Sequence, residues 1–447
     1  MFFYIKDLWL PIMHKIIKYL LMFLLLCASA TQALAKAQIA KNDGLSAWFY
    51  ADKSLPIVLI NIDFPQAGSA FEKHGGTAKL LEKMLTEGAG KYSATEFNEE
   101  LDQYAIEFSA NAGLDNFSIQ VKTLRENLPR AMELLQLAIT EPHFAKDDLQ
   151  RIKNEQLSII TALNENPNHH LQRLFYENAF KNHPYRNSPY GEKASISAIT
   201  AKNLHHFMFE HFRRYDVKIS IVGDVDAGLI EQQILPYLAK LPAPRHLPHP
   251  LPKTQIATFT KPLHYEMNVP QSNVMLVHHG INRKSELFYA AYVLQHILGG
   301  GSLSSKLGQK LREEHGLVYG VNASFVQTDA SEWFVTNFAT KNETAELAIK
   351  LANEVISKAA NGEITETELQ EAKQYLIGSF ALATDSNSDR LQYLSMMQRY
   401  DLGVDYLEKR NDLIAAVNLK QLQQAAKILQ GAPLMILSVG KQALISD

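Results

Sequence analysis

Two stretches, one near the middle of the chain and one at its end, close in the same way. KISIVGDVDA (218–227) and LMILSVGKQA (434–443) are both β-rich runs that end on Val-Gly. A helix-like stretch precedes each, AKNLHHFMFEHF in the first case and LKQLQQAAKIL in the second. Each half also opens on a strand-like run, LPIVLINIDF or SNVMLVHHGI. A glycine-rich turn and a helix follow, HGGTAKLLEKML and GGGSLSSKLGQKL. A long-period repeat marks duplication of one supersecondary unit. It constrains the fold more than any single motif, because whatever one half forms the other must form too.

The segment between the halves, LPAPRHLPHPLPKTQ (241–255), carries five prolines. Proline fixes φ and removes a donor, so this stretch is extended and continues neither a helix nor a central strand. It leaves two units of roughly 200 residues, an ordinary domain size: 36–240 and 256–447. Phe117, Ile119 and Val121 alternate at period two, as in a strand with one buried face. ENLPRAMELLQLAI and NETAELAIKLANEVI show helical spacing. Strands mixed with long helices predict an α+β fold of two homologous domains, each a mostly antiparallel sheet covered by helices.

With 46% hydrophobic residues the chain can build real cores, and a formal charge of −3 gives no field that draws it to nucleic acid. Near the start, His14, Lys15 and Lys18 precede an apolar run from Tyr19 to Cys27. Ala28-Ser29-Ala30 and Ala33-Leu34-Ala35 then offer small-x-small cleavage patterns. Residues 1–35 therefore read as a signal peptide, with a periplasmic destination; an uncleaved membrane anchor is the alternative. Cys27, the one cysteine, leaves with the leader, so the mature chain has no thiol nucleophile and forms no disulfide.

The helix in GGTAKLLEKML poses the functional question. A His-x-x-Glu-His helix sets two imidazoles at i and i+4 on one face, where both reach one zinc ion, and its glutamate serves as general base. Here that spacing reads Lys79-Leu80-Leu81-Glu82-Lys83. An ammonium group has no free lone pair to ligate zinc. By spacing alone this is an amphipathic helix in which Lys79 and Glu82 form a surface pair. Other candidates are poorer. His206, Glu210 and His211 place their histidines at i and i+5, about 140° apart around a helix. His278-His279 sit in a strand, where neighbours face opposite ways. Gly299-Gly300-Gly301 lacks the Lys-Ser/Thr of a phosphate loop and reads as a strand-to-helix turn.

Several stretches taken in order resemble the pitrilysin/insulinase-type zinc metallopeptidases, the inverted-motif zincins. They are GGTAKLLEKMLTEGAGKYSATEFNEELDQ, NENPNHHLQRLFYENAFKNHPYRNSPYGE, SIVGDVD, ILGGGSLSSKLGQKLREEHGLVYGV and EITETELQEAKQYLIGSF. The resemblance spans nearly all of residues 40–445. It implies that Lys79 and Lys83 stand at degenerate zinc-ligand positions and that Glu82 keeps a vestigial base position. The third ligand position falls near Ile159 or Ile160. No metal or cofactor is expected in this chain.

The resemblance also singles out Arg312 and Tyr319 in LREEHGLVY. Such a pair reaches from the second domain towards a zinc site, the tyrosine donating to the developing oxyanion and the arginine holding the peptide backbone. What is implied is a non-catalytic, substrate-binding subunit of a heterodimeric periplasmic zinc metallopeptidase, inactive alone. Its partner would be a homologous chain with an intact His-x-x-Glu-His motif and the zinc, and its substrate a peptide. The alternative is a non-proteolytic binding or scaffold protein of the same fold.

Overall fold

The computed structural model describes residues 36–243, 250–301 and 304–441. The leader expected over residues 1–35 lies outside the described residues, as does part of the proline-rich segment; its described portions, 241–243 and 250–255, contain neither helix nor strand.

Two sheets carry the fold. The first comprises β1 (Gln38–Asn42), β2 (Leu45–Ala51), β3 (Ile57–Pro65), β4 (Glu107–Ala112), β5 (Asn116–Leu124) and β6 (Lys218–Gly223), in the order β1-β2-β6-β3-β5-β4. The second comprises β7 (Leu263–Glu266), β8 (Gln271–His279), β9 (Val318–Gln327), β10 (Glu332–Lys341) and β11 (Met435–Gly440), in the order β7-β11-β8-β10-β9. In each sheet one pair is parallel, β2 with β6 and β7 with β11, and the other pairs are antiparallel. Without β1 the two topologies are the same, so the duplication read from the two Val-Gly endings holds at the level of strand order.

The helices repeat as well. In the first half, up to β6, they are α1 (Thr77–Met84), α2 (Ala94–Gln103), α3 (Leu128–Thr140), α4 (Lys146–Leu163), α5 (Pro167–Ala179), α6 (Lys193–Ala198) and α7 (Ala201–His211), and two short helices, Ala227–Gln233 and Leu235–Leu238, follow β6. In the second half, α8 (Phe288–Gln295), α9 (Ala345–Ala360), α10 (Glu366–Gly378), α11 (Asn387–Arg399), α12 (Tyr406–Ala415) and α13 (Leu419–Ala426) follow the same order. A helical turn at Lys306–Gly308 takes the place of α2. Among the described residues no helix is long and apolar enough to cross a membrane.

One expectation is corrected here. Gly299-Gly300-Gly301 does not turn a strand into a helix. It ends a π-helical turn, His296–Gly300, that continues α8. The counterpart of the GGTAKLLEKML helix is therefore α8, FYAAYVLQ, one element earlier than the shared glycines suggest. Gly299 is needed for close approach, since a Cβ there would stand 2.5 Å from the Cβ of Ala323 on β9.

Each sheet has one face on its own half's core and the other face on a helix from the opposite half. In the first half β3, β5 and β6 pack on α1, α3 and α7 through Ile60, Ile62, Leu80, Leu81, Met84 and Leu135. The other face, with Tyr50, Leu59 and Val222, is closed by Leu391, Leu394 and Met397 of α11. Reciprocally, Leu171 and Phe175 of α5 close the outer face of the second sheet against Met275, Val277, Trp333 and Val439. This exchange explains the composition of β3, IVLINIDFP, which is buried along both faces and so does not alternate. β5 does alternate, as its period-two pattern requires.

Polar groups fasten the same junction. The Tyr185 hydroxyl donates to Asp115 and accepts from the Ala330 amide at 3.0 Å. Arg399, at the end of α11, donates to Asn116 at 2.6 Å and lies 3.4 Å from Asp115 and 3.5 Å from Asp329. Asn116 in turn donates to Asp63. Arg390 pairs with Asp52 at 2.8 Å.

Candidate functional site

α1 begins where Gly75 and Gly76 let the chain turn sharply; Gly76 has φ +90°. Its first amides are capped by a carboxylate from outside the helix. Glu72 accepts from the Gly76 amide at 2.6 Å and from the Ala78 amide at 2.8 Å. Burial pushes this carboxyl up to about 8, although both amides favour its anion. Thr77, Ala78, Leu80, Leu81 and Met84 face the core. Lys79, Glu82 and Lys83 are left on the open side, as the 3.6-residue period requires.

Those three side chains form a closed set of charges. Lys79 Nζ lies 2.7 Å from Glu82 Oε2. The same oxygen accepts from the amide of Ala112, the last residue of β4, at 2.9 Å. The lysine also stands 5.8 Å from the centre of the Tyr190 ring. The pair is more enclosed than the surface pair that spacing alone suggests, with side-chain exposures of 16% and 23%. Lys83 pairs with Glu155 of α4 at 3.2 Å. Ile159 and Ile160 follow Glu155 about one turn along α4.

Zinc does not fit this arrangement. Two ammonium groups hold the i and i+4 positions, and the third position offers a hydrocarbon. Glu82 already accepts one ammonium and one amide hydrogen, so a cation from the chain itself sits against the residue at the base position. Among the described residues, no group of three or more His, Cys, Asp or Glu side chains could hold a metal ion.

The structure brings Arg312 and Tyr319 together on the second half. Arg312 lies in a π-helical turn, Gln309–Glu314, and Tyr319 is the second residue of β9. The guanidinium carbon stands 5.0 Å from the Tyr319 ring centre. Tyr319 is 87% exposed. A tyrosine so exposed adds little to a core, and its hydroxyl is open to a ligand. Arg312 has Glu313 at 3.7 Å, beyond hydrogen-bond distance, so its donors are also available.

Several histidines pack within the fold or pair with neighbouring groups. His206 and Glu210 face the same way and together hold Lys73 Nζ, at 3.0 Å and 3.2 Å. His211 points inward, is 9% exposed, and is held down to about 4 by burial and the Arg213 charge. His278 is buried in β8 and likewise held near 4, while its neighbour His279 is exposed. His170 stacks on Tyr265 with ring centres 4.2 Å apart and bonds the Asn164 carbonyl at 2.7 Å.

Three residues at the site were not legible as such. Glu72 caps across a glycine pair, and the only signal was an acid just ahead of a helix start. Glu155 and Tyr190 reach α1 from far along the chain, and no local pattern marks either.

A family model described as insulinase, peptidase family M16, matches residues 54–193, and one described as peptidase M16 inactive domain matches residues 198–376. The chain is 25% identical over 420 residues to a protein of Helicobacter pylori named as a non-peptidase homolog, covering 92% of this chain and 95% of that one. It is 24% identical over 415 residues to an uncharacterized zinc protease of Rickettsia bellii, covering 90% and 96%. Among solved structures, a peptidase M16 inactive domain from Pseudomonas fluorescens aligns with a TM-score of 0.83 at 26% identity, over 92% of this chain and 98% of that chain. A protease from Helicobacter pylori shares the fold, with a TM-score of 0.80 at 20% identity over 91% and 99%.

Proposed function

Because the chain belongs to the insulinase-type peptidase family M16 and is a non-catalytic form of its fold, we propose that it is the substrate-binding subunit of a heterodimeric zinc peptidase. The zinc and the general base would come from a homologous partner with an intact His-x-x-Glu-His helix. The observation that carries the reading is the contrast between the two halves. The zinc-type helix is neutralised by its own lysines, whereas Arg312 and Tyr319 stand open to solvent with their donors free.

Their chemistry suits the task. As a peptide carbonyl is attacked, its oxygen becomes an anion, and a phenolic O–H aimed at that oxygen stabilises it more than it stabilises the ground state. A planar guanidinium can hold two carbonyl oxygens of an extended backbone. β4 stands at the edge of its sheet, where outward backbone groups can pair with an extended peptide. The substrate is accordingly a peptide or an unfolded segment. With residues 1–35 read as a leader, the proposed setting for this work is the periplasm.

The test is turnover of the two-chain complex with Tyr319→Phe and Arg312→Ala. Loss of one oxyanion donor should lower kcat by about 100-fold or more, with the chains still associated. Unchanged turnover in both variants would contradict the proposal. A scaffold role with no part in proteolysis is the second reading, favoured by the Helicobacter pylori relative's name as a non-peptidase homolog; it requires both variants to be silent.

A further inference from the structure

Beside α1 lies a cleft of about 610 Å³, and nothing so far assigns it a role. It is open to solvent but firmly built. Gly191, at φ +72°, rests directly on Gly75, and a Cβ at Gly191 would stand 2.3 Å from the Gly75 carbonyl oxygen. The carbonyl of Tyr190 is held by Gln156 at 2.8 Å. The wall formed by residues 188–195 is thus fixed to the start of α1. Tyr190 belongs to both places, lining the cleft and turning its ring towards Lys79. A peptide lying along α1 would pass the mouth of the cleft.

The lining has two parts. Ile160, Leu163 and Tyr190 supply apolar surface, enough for the stem of a side chain. The rim is charged, and its charges do not cancel. Arg173 is satisfied within the rim, donating to Glu177 at 2.6 Å with Glu192 adding negative charge nearby. Arg186 donates one N–H to the Lys181 carbonyl at 3.0 Å, and among the described residues neither it nor Lys193 has a carboxylate partner. Counting Glu192, the rim carries one net positive charge, and Arg186 and Lys193 are its cations without a carboxylate partner.

We infer that this cleft is a subsite for a peptide carboxylate, an acidic side chain or the free chain end, with Arg186 and Lys193 as its counter-charges. The inference rests on the peptide-binding reading above and names the chemistry that the site prefers. Burying the stem against Ile160 and Leu163 while the carboxylate meets two cations favours Glu or a C-terminal residue over their uncharged equivalents.

The test measures binding of fluorescent peptides to the purified chain by anisotropy. One set carries Glu, Gln or Ala at a single position with an amidated end, and a second set compares free with amidated ends. Two partly exposed ion pairs should improve affinity by about fivefold for the carboxylate over its amide, less at high salt. In Arg186→Gln/Lys193→Gln the preference should fall to near unity while Ala peptides bind as before. Both side chains are exposed, so the double variant should unfold at the same denaturant concentration as the parent. A preference for Glu locates the source as a side chain, and one for the free end as the terminus. Equal binding of all peptides would overturn the inference and leave the peptide-binding reading standing. No binding by any peptide would overturn both.

Discussion

Replacing Arg399 with methionine removes the cation at the centre of the junction between the halves and keeps most of the stem. Three carboxylates depend on it: Asp115 at 3.4 Å, Asp329 at 3.5 Å, and Asp63 through Asn116. Asp115 and Asp63 are buried, with 3% and 6% of their surface exposed. Breaking a buried pair from one side costs about 3–5 kcal/mol. The Arg399 side chain is 28% exposed, its hydrogen bond to Asp115 is long at 3.4 Å, and Asp329 stands at 3.5 Å. Water therefore screens part of the interaction, and about 2–4 kcal/mol is the expected loss at neutral pH.

The loss should depend on pH in a defined direction. Burial already holds Asp63 and Asp115 above the ordinary aspartate value of 3.8. A carboxyl raised in the folded state keeps a proton that the unfolded chain has released. Its contribution is fully present below the ordinary value and is lost as pH climbs through the raised one. Without Arg399 the folded values rise further and the window extends upward. The variant should thus lose most stability near pH 8 and least near pH 5. Urea unfolding followed by tryptophan fluorescence reads this, since Trp333 is buried against Phe175 of the exchanged helix. An equal loss at both pH values, or one below about 1 kcal/mol, would refute the reasoning.

Three further outcomes follow from the same geometry. Glu72→Gln keeps an acceptor at α1 but removes a carboxyl raised to about 8; relative to the parent it should gain on the order of 3 kcal/mol in urea unfolding between pH 5 and pH 8. Gly191→Ala forces a Cβ against the Gly75 carbonyl at positive φ, so thermal unfolding should show a loss of about 2–3 kcal/mol. Lys79→His with Lys83→His places two imidazoles on one face of α1 beside Glu155, so calorimetric titration should detect zinc binding at about one ion per chain, where the parent shows none. No heat from the double variant would contradict the view that α1 retains the geometry of a metal helix.

Much of this architecture could be read in advance, because it rests on short-range rules. The two Val-Gly endings marked β6 and β11, the alternation of Phe117, Ile119 and Val121 marked β5, and the i, i+4 spacing put Lys79 and Lys83 on one face of α1. The shared glycines pair α1 with an element one later than its true counterpart α8, because glycine marks any tight approach and does not say which element it ends. The exchange of α5 and α11 left no local signal. An amphipathic helix shows that it buries a face, not which sheet it buries the face against. For Tyr319, VYGVNASFV reads as a strand whose aromatic could face inward, whereas on edge strand β9 the ring is exposed.

The central claim is that this chain works beside a zinc-bearing relative. The most direct measurement is affinity capture of the tagged full chain from its own cells at native abundance, followed by mass spectrometry and zinc analysis of the purified material. The account predicts one co-purifying chain of similar size with an intact His-x-x-Glu-His helix, in equal amount, and one zinc per pair. Recovery of the chain alone and zinc-free, or within an assembly that lacks such a relative, would contradict it.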